Sequence, residues 1–265
     1  MYHTPMPERP VSDPSSTKFR NRAGEITRLE ALSDGTFAFA ITLLVVSLEV
    51  PSTFDELLNV LRGFPAFAVC FTLLIWIWFQ HWRFFRRYGL EDAGTVALNS
   101  ALLFVVLFYV YPLKFLWSLL FKAASQSTTA IPVAAGAAPP IREVHGSALM
   151  QVYGAGFVAI FFLLAALYWR AYGKRAQLEL NELELFDTRS GIIENLAVGS
   201  VGLLSIAIVT LGGSRASFFA GICYSLIGVV KAGHGYWHGA RRAKLEAEFA
   251  GRARPLGAAP SSEAG

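Results

Sequence analysis

The chain has 265 residues, of which 54% are hydrophobic and only 16% charged, with 23 Lys and Arg against 19 Asp and Glu. A soluble domain averages about 25% charged residues. The composition therefore excludes an ordinary soluble protein and predicts an integral membrane protein. The first 22 residues are polar, rich in Pro and Ser, and lack the apolar core of a signal peptide. We expect a cytosolic N-terminal tail there.

Six apolar segments predict an all-α integral membrane protein with six transmembrane helices, since a helix of about 20 residues spans a bilayer. These segments cover residues 29–48, 61–79, 95–119, 149–169, 192–211 and 216–233. Gly212 and Gly213 separate the last two segments, which predicts a helical hairpin. Residues 174–189, where Leu alternates with Glu, are expected to extend the fourth helix as a short amphipathic segment.

The basic residues are distributed unevenly between the two sets of connections. Most of them lie in the N-terminal segment, the connections after the second and fourth spans, and the C-terminal segment. Only five lie in the other set, namely Arg62, Lys114, Lys122, Arg142 and Arg215. Because cytosolic loops are enriched in Lys and Arg, both termini are predicted to face the cytosol. The predicted organisation is a cytosolic tail over 1–24, a six-helix domain over 25–240, and a basic and then disordered tail over 241–265.

The first apolar segment contains a carboxylate, Asp34, directly after Ser33. An ionisable residue inside a span is costly and indicates a specific role. Arg28 precedes Asp34 by six residues and does not share its helix face, so Asp34 needs a partner on another helix. The predicted topology brings His81, at the end of the second span, and Asn99, early in the third, to the same membrane side. We expect these five residues to form a polar cluster that either ties the first three helices together or conducts an ion or proton.

The residues Arg28-Leu-Glu-Ala-Leu-Ser33-Asp34-Gly35 resemble the Arg-x-x-x-Phe-Ser-Asp signature of the endosomal/lysosomal potassium channel family. The chain is similar to the bacterial, single-repeat branch of that family. The resemblance implies a potassium-permeable channel of the inner membrane, in which four copies line the pore with their first helices and no carbonyl filter is used. The chain agrees in lacking a Thr-Val-Gly-Tyr-Gly run, and departs from the signature at Leu32, which replaces Phe.

The resemblance places Phe39, Thr42 and Val46 on the pore axis. At about 100° of rotation per residue, Thr42 and Val46 lie within about 60° of Phe39, so the three form one stripe. Asp34 lies about 140° from Phe39 and would then hold the first helix in register. The narrowest position of the family usually holds an aliphatic residue, and the matching residue here is Phe39. A ring of four Phe side chains is expected to form a hydrophobic constriction.

The alternative function is a secondary transporter or a proton pathway that uses the Asp34 cluster. Transporters favour broken helices and sites at the midplane, and the first, second and fifth spans carry no charge there. Paired carboxylates, nucleophile motifs and zinc spacings are not found, so no enzyme activity, metal or cofactor is predicted. The expected partners are potassium ions, the lipid bilayer and identical copies of the chain in a tetramer, and no nucleic acid.

Overall fold

The computed structural model of the chain describes residues 18–46, 52–126 and 143–253. The described residues form eight α-helices, which are α1 (Arg28–Val46), α2 (Phe54–Arg62), α3 (Phe64–Tyr88), α4 (Ala93–Gln126), α5 (Glu143–Gly173), α6 (Glu182–Gly212), α7 (Ser217–Ile222) and α8 (Leu226–Ala253). Six helical stretches are long and apolar enough to cross a membrane, namely α1, α3, α4, α5, α6 and α7 together with α8. The predicted all-α fold with six spanning helices is therefore confirmed.

The second spanning helix, α3, runs to Tyr88 instead of ending near residue 79. Its last three turns mix aromatic with basic and polar side chains, which lowers their hydropathy without disfavouring a helix. The helix ends because Gly89 adopts the left-handed conformation, with φ of 56°, and its N–H donates to the Phe85 carbonyl at 2.8 Å. A glycine in this conformation is a common helix terminator.

The prediction that residues 174–189 extend the fourth spanning helix is wrong. α5 ends at Gly173, and α6 begins at Glu182 after a turn. The side chain of Asn181 accepts from the Glu184 N–H at 2.9 Å, and the Glu184 carboxylate accepts from the Asn181 N–H at 3.1 Å. This reciprocal capping box begins a new helix. The alternation of Leu and Glu is compatible with the end of α5 and with the start of α6. The cap at Asn181 is what places these residues in α6.

α5 and α6 approach each other closely where glycine faces glycine. A Cβ added at Gly154 would lie 2.7 Å from Ile206 and 3.4 Å from the carbonyl oxygen of Gly202. One added at Gly202 would lie 2.9 Å from Val158 and 3.3 Å from the carbonyl oxygen of Gly154. The two backbones are therefore in contact, as is common where small residues pack spanning helices together. α4 covers the other side of α5, and α1 packs at the edge of the bundle against α3 and α4.

The chain ends and the long connection between the third and fourth spans lie partly outside the described residues. Between the third and fourth spans, residues 127–142 are not described, while residues up to 126 belong to α4 and those from 143 to α5. α8 continues through the basic residues after 240 to Ala253. Residues 254–265, to which the predicted disordered tail extends, are not described either.

Candidate functional site

Two stripes of side chains lie on opposite sides of α1. One is buried, against α3 and α4, and consists of Glu30, Ser33, Phe37, Ala40 and Leu44. The other is exposed and consists of Leu32, Gly35, Phe39, Thr42 and Val46. Each stripe repeats every three or four residues, and the two are offset by two residues, which is about 200° of helical rotation. The second stripe is as apolar as the first, although none of the residues that the structure describes covers it.

The residues predicted to line a pore all lie on the exposed stripe. Phe39 is 56% exposed and Val46 is 71% exposed, and Thr42 between them is exposed as well. The Thr42 hydroxyl donates to the Ala38 carbonyl at 2.9 Å. A Cβ added at Gly35 would meet no atom within 4 Å. In a membrane this stripe can face lipid, another copy of the chain or a water-filled passage.

Three of the predicted cluster residues form a buried chain of hydrogen bonds that joins α1, α4 and α3. The Asn99 amide donates to Ser33 Oγ at 3.0 Å, and Ser33 Oγ donates to the Leu29 carbonyl at 2.8 Å. His81 Nε2 lies 2.7 Å from Asn99 Oδ1. An amide oxygen only accepts, so Nε2 carries the proton of this bond. His81, Ser33 and Asn99 are each at most 1% exposed. The hydrogen bonds that join α1, α3 and α4 are therefore shielded from water.

Asp34 and Arg28 do not join this chain of hydrogen bonds. Asp34 Oδ1 accepts from Trp78 Nε1 at 2.8 Å, which ties α1 to α3 by a second route. Arg28 is exposed at the first position of α1. Trp78 was not predicted as a partner, although it lies three residues before His81 and therefore on the same side of α3. The signal that could have found it is the indole N–H of Trp78, which is a hydrogen-bond donor, as the Asp34 carboxylate requires.

Glu30, the buried carboxylate of α1, has a structural role at the start of the helix. Its carboxylate accepts from the Thr27 N–H at 3.0 Å, and the Thr27 hydroxyl accepts from the Glu30 N–H at 3.1 Å. This second capping box satisfies two backbone donors that the helix leaves free. It also fixes the residue at which α1 begins.

Comparison with known proteins assigns the family. A family model described as endosomal/lysosomal potassium channel TMEM175 matches residues 28–109, from the start of α1 into α4. A potassium channel of Marivirga tractuosa is 43% identical over 211 residues, which cover 78% of this chain and 85% of the relative. This chain belongs to the endosomal/lysosomal potassium channel TMEM175 family. The family assignment made from the α1 motif is thereby confirmed, and the family is one of channels and not of enzymes.

Two further comparisons agree with membership of the TMEM175 family. A potassium channel of Chamaesiphon minutus is 34% identical over 96 residues, which are 33% of this chain and 47% of the relative. The crystal structure of a variant of the potassium channel MtTMEM175, in complex with a Nanobody-MBP fusion protein, matches with a TM-score of 0.74 at 41% identity. It covers 82% of this chain and 95% of that one, so the likeness extends beyond the residues that the family model matches.

A buried ion-pair cluster lies outside the part matched by the TMEM175 family model. Arg20 and Arg22 both bind the carboxylate of Glu184, whose side chain is 1% exposed. The distances are 2.8 Å from Arg20 Nη2 and 2.6 Å from Arg22 Nη2 to Glu184 Oε2. The hydrogen bond to Glu184 raises the pKa of Arg20. Part of the segment predicted to be a cytosolic tail is thus bound to the start of α6, through a carboxylate that also caps that helix.

The connection between α3 and α4 is tied to the end of α5 by a second ion pair. Asp92 binds Arg170 and lies 3.2 Å from Lys174 Nζ. It also accepts from the Thr95 hydroxyl at 2.8 Å and the Gly94 N–H at 3.2 Å, and so caps α4. The hydrogen bond from Arg170, with smaller contributions from Thr95 and Lys174, holds the pKa of Asp92 well below its usual range. These two ion pairs lie at the same end of the bundle as the Ser33–Asn99–His81 chain.

Proposed function

We propose that four copies of this chain form a potassium-permeable cation channel in the inner membrane of a bacterium, with α1 of each copy lining a central pore. The relatives from Marivirga tractuosa and Chamaesiphon minutus are potassium channels. The observation that carries the proposal is the exposed stripe of α1, which lies opposite a stripe that is buried and hydrogen-bonded. Such a helix suits a position between its own subunit and a shared axis.

Phe39 is proposed as the constriction of this pore. Four Phe39 rings around an axis would remove water from a passing ion, and this dehydration is the main barrier at an apolar constriction. The faces of aromatic rings attract cations, which lowers the barrier for K⁺ relative to an anion. A hydrophobic ring of this kind therefore favours cations without using carbonyl ligands.

Thr42 is proposed as a polar ring one turn beyond Phe39. Its hydroxyl proton is used in the bond to the Ala38 carbonyl. The oxygen lone pairs therefore remain available, because a hydroxyl accepts as well as donates. Four such oxygens offer a cation partial replacement of its water directly after the apolar ring.

The polar groups at the start of α1 are proposed to set its rotation. Ser33 and Asp34 are consecutive, and they reach Asn99 on α4 and Trp78 on α3. Two bonds in different directions fix the angle of a helix about its own axis. A rotation of α1 by one residue would turn Phe39 about 100° away from its present direction.

A transporter or a proton pathway through Asp34 has no specific observation in its favour. α1 is uninterrupted from Arg28 to Val46, whereas transporter sites are commonly built on broken helices. Asp34 is engaged with Trp78 and lies off the stripe of Phe39, Thr42 and Val46.

The constriction is tested with purified protein in liposomes that carry a K⁺ gradient. Phe39→Ala is expected to widen and wet the ring, to raise cation flux about tenfold, which corresponds to about 1.4 kcal/mol of barrier, and to lower discrimination between K⁺ and Na⁺. Ala38→Ser, one residue away on α1, is the control and is expected to change flux far less. Tetramer content is measured on the same samples. Intact tetramers of Phe39→Ala with the flux and selectivity of the parent would remove Phe39 from the pore.

The proposed orientation, with both termini in the cytosol, is tested by cysteine labelling. Cys70 and Cys223 are buried, so the background is low. Ser52→Cys, before α2, is expected to react with an impermeant thiol reagent from outside the cell. Ala176→Cys, in the exposed turn between α5 and α6, is expected to react only in inverted vesicles. The reverse pattern would overturn the orientation.

A further inference from the structure

A polar cavity of about 240 Å³ is lined by α3, α6 and α8, and by Tyr168 of α5. Its lining includes no residue of α1, so it is separate from the proposed pore stripe. The charged and titratable side chains that decide its chemistry include Arg83, Arg87, Asp187, Glu194, Lys231 and His234. The family model, which ends at residue 109, does not include the α6 and α8 walls.

The two carboxylates of the cavity are already paired with cations. Asp187, whose side chain is 2% exposed, binds Arg242 and accepts from His238 Nε2 at 2.9 Å. Glu194 binds Lys231. A metal or potassium ion in the cavity would have to compete with these partners. The carboxylates therefore do not make the cavity a cation site.

Arg83 and Arg87 leave the cavity with a surplus of positive charge. They are four residues apart on one side of α3, and neither forms an ion pair with a carboxylate in the described part of the chain. Arg83 Nε is buried and has no hydrogen-bond partner among the described residues, although another nitrogen of its guanidinium donates to Gln80. The Arg87 guanidinium lies over the Phe19 ring at 4.7 Å. A buried donor without an acceptor is costly, and an anion would satisfy it.

We propose that this cavity binds a phosphate group between Arg83 and Arg87. A phosphate monoester has several strong acceptor oxygens and a charge of about −1.5 to −2 near neutral pH, which suits two guanidinium groups that form no ion pair with a carboxylate of the described residues. Guanidinium groups bind phosphate oxygens through paired N–H donors. Bound phosphate would join α3 to the wall formed by α6 and α8. Through Arg87 and Phe19, it would also stabilise the N-terminal segment on α3.

Two sources carry this chemistry, namely a soluble phosphate and the headgroup of an anionic phospholipid. For the first, inorganic phosphate is titrated into the full-length, delipidated protein in neutral detergent at constant ionic strength, and the melting temperature is measured. A ligand that binds only the folded state raises the melting temperature in a saturable way. For the second, the protein is recovered from neutral vesicles with and without phosphatidic acid, and the lipid that it retains is measured.

Arg83→Gln and Arg87→Gln are expected to raise the apparent Kd for phosphate about tenfold or more, because each removes charge-assisted hydrogen bonds. Arg86→Gln is the matched control, since it removes the same charge from the neighbouring position, which is not among the cavity-lining residues. If a Gln variant does not fold, Arg83→Lys and Arg87→Lys keep the charge and remove the forked donors. They are also expected to bind more weakly than Arg86→Gln.

A saturable phosphate effect without retained phosphatidic acid would identify a soluble phosphate as the source. Retention of phosphatidic acid by the parent and Arg86→Gln, but not by Arg83→Gln, would identify a lipid headgroup. The proposal is overturned if neither probe binds, or if all variants bind either probe equally. The measurements record binding and stability, so they remain informative whether or not the channel proposal holds.

Discussion

α1 and the pair of α5 and α6 are all apolar spanning helices, but different interactions hold them in the bundle. In the most apolar 18-residue stretch of each helix, 44% of the residues are buried in α5 but only 28% in α1. α5 and α6 are held by direct backbone contact at Gly154 and Gly202. α1 is held at one end by hydrogen bonds from Ser33 and Asp34. A helix with one side left open has little area for packing, so directional bonds must specify its rotation.

This difference matters more in a membrane than in water. Lipid tails are as apolar as Leu, so burial of an apolar side chain between helices adds little driving force. Close packing and hydrogen bonds are then the main sources of helix association. The comparison predicts that α5 and α6 are sensitive to side-chain size, whereas α1 is sensitive to the loss of particular polar atoms.

The largest expected effect breaks the α5–α6 contact. Gly202→Leu would place carbon atoms where a Cβ alone already lies 2.9 Å from Val158 and 3.3 Å from the Gly154 carbonyl oxygen. We expect a loss of about 3 kcal/mol in the free energy of unfolding, the upper end of overpacking effects. Ser200→Leu, at an exposed position of the same helix, is the control. Thermal melting in detergent measures both, and equal melting temperatures would contradict the close backbone contact.

A slightly smaller effect is expected at the polar end of α1. Asn99→Ala removes the group that joins Ser33 to His81 and leaves two buried polar groups without their partner. We expect a loss of about 1–3 kcal/mol of stability, together with reduced tetramer content, because α1 is no longer held in one rotation. Ser100→Ala, at the adjacent exposed position, should match the parent. Unchanged stability and flux in Asn99→Ala would show that the chain of bonds is dispensable.

Asp34→Ala tests whether the second tie of α1 is structural or belongs to the ion path. It removes the acceptor of the Trp78 N–H at an exposed position. We expect a loss of about 0.5–1.5 kcal/mol and little change in K⁺ over Na⁺ selectivity among the tetramers that form. Trp78→Phe keeps the ring and removes the same bond, so its effect should be similar. A stable tetramer of Asp34→Ala with altered selectivity would place Asp34 in the ion path.

The smallest expected effect concerns the partly exposed ion pair at Asp92. The folded pKa of Asp92 is depressed by Arg170, so its stabilising contribution is present above the unfolded pKa of about 3.9. That contribution is lost as the pH falls from there through the folded pKa. Asp92→Asn should cost about 0.2–1 kcal/mol at neutral pH, and its difference from the parent should shrink below about pH 3.9.

Glu91→Gln, at the exposed neighbouring position, is the control for Asp92→Asn and should leave the pH dependence of melting unchanged. A difference between Asp92→Asn and the parent that stays constant down to acidic pH would contradict the assigned role of Arg170. This comparison separates an ion pair near the surface from the buried bonds that hold α1.

The sequence by itself determined the number of spanning helices, since an apolar run has a length. The family resemblance selected Phe39, Thr42 and Val46, and the fixed rotation per residue of a helix puts these three on one stripe. The motif Arg28 to Gly35 suggested the family, because its residues are contiguous and stand at the start of the first of six spans. Ser33 and Asn99 were also predicted as neighbours, since the topology brought the ends of their helices to the same side.

Only the tertiary structure decided which polar groups are partners. Trp78 is the donor for Asp34, and Arg20 is bound to Glu184 although 164 positions separate them. The cavity proposed to bind phosphate likewise draws its walls from four helices, α3, α5, α6 and α8. A hydrogen bond depends on distances of a few tenths of an ångström and on direction. Those quantities follow from how helices pack, and no periodicity in the chain encodes them.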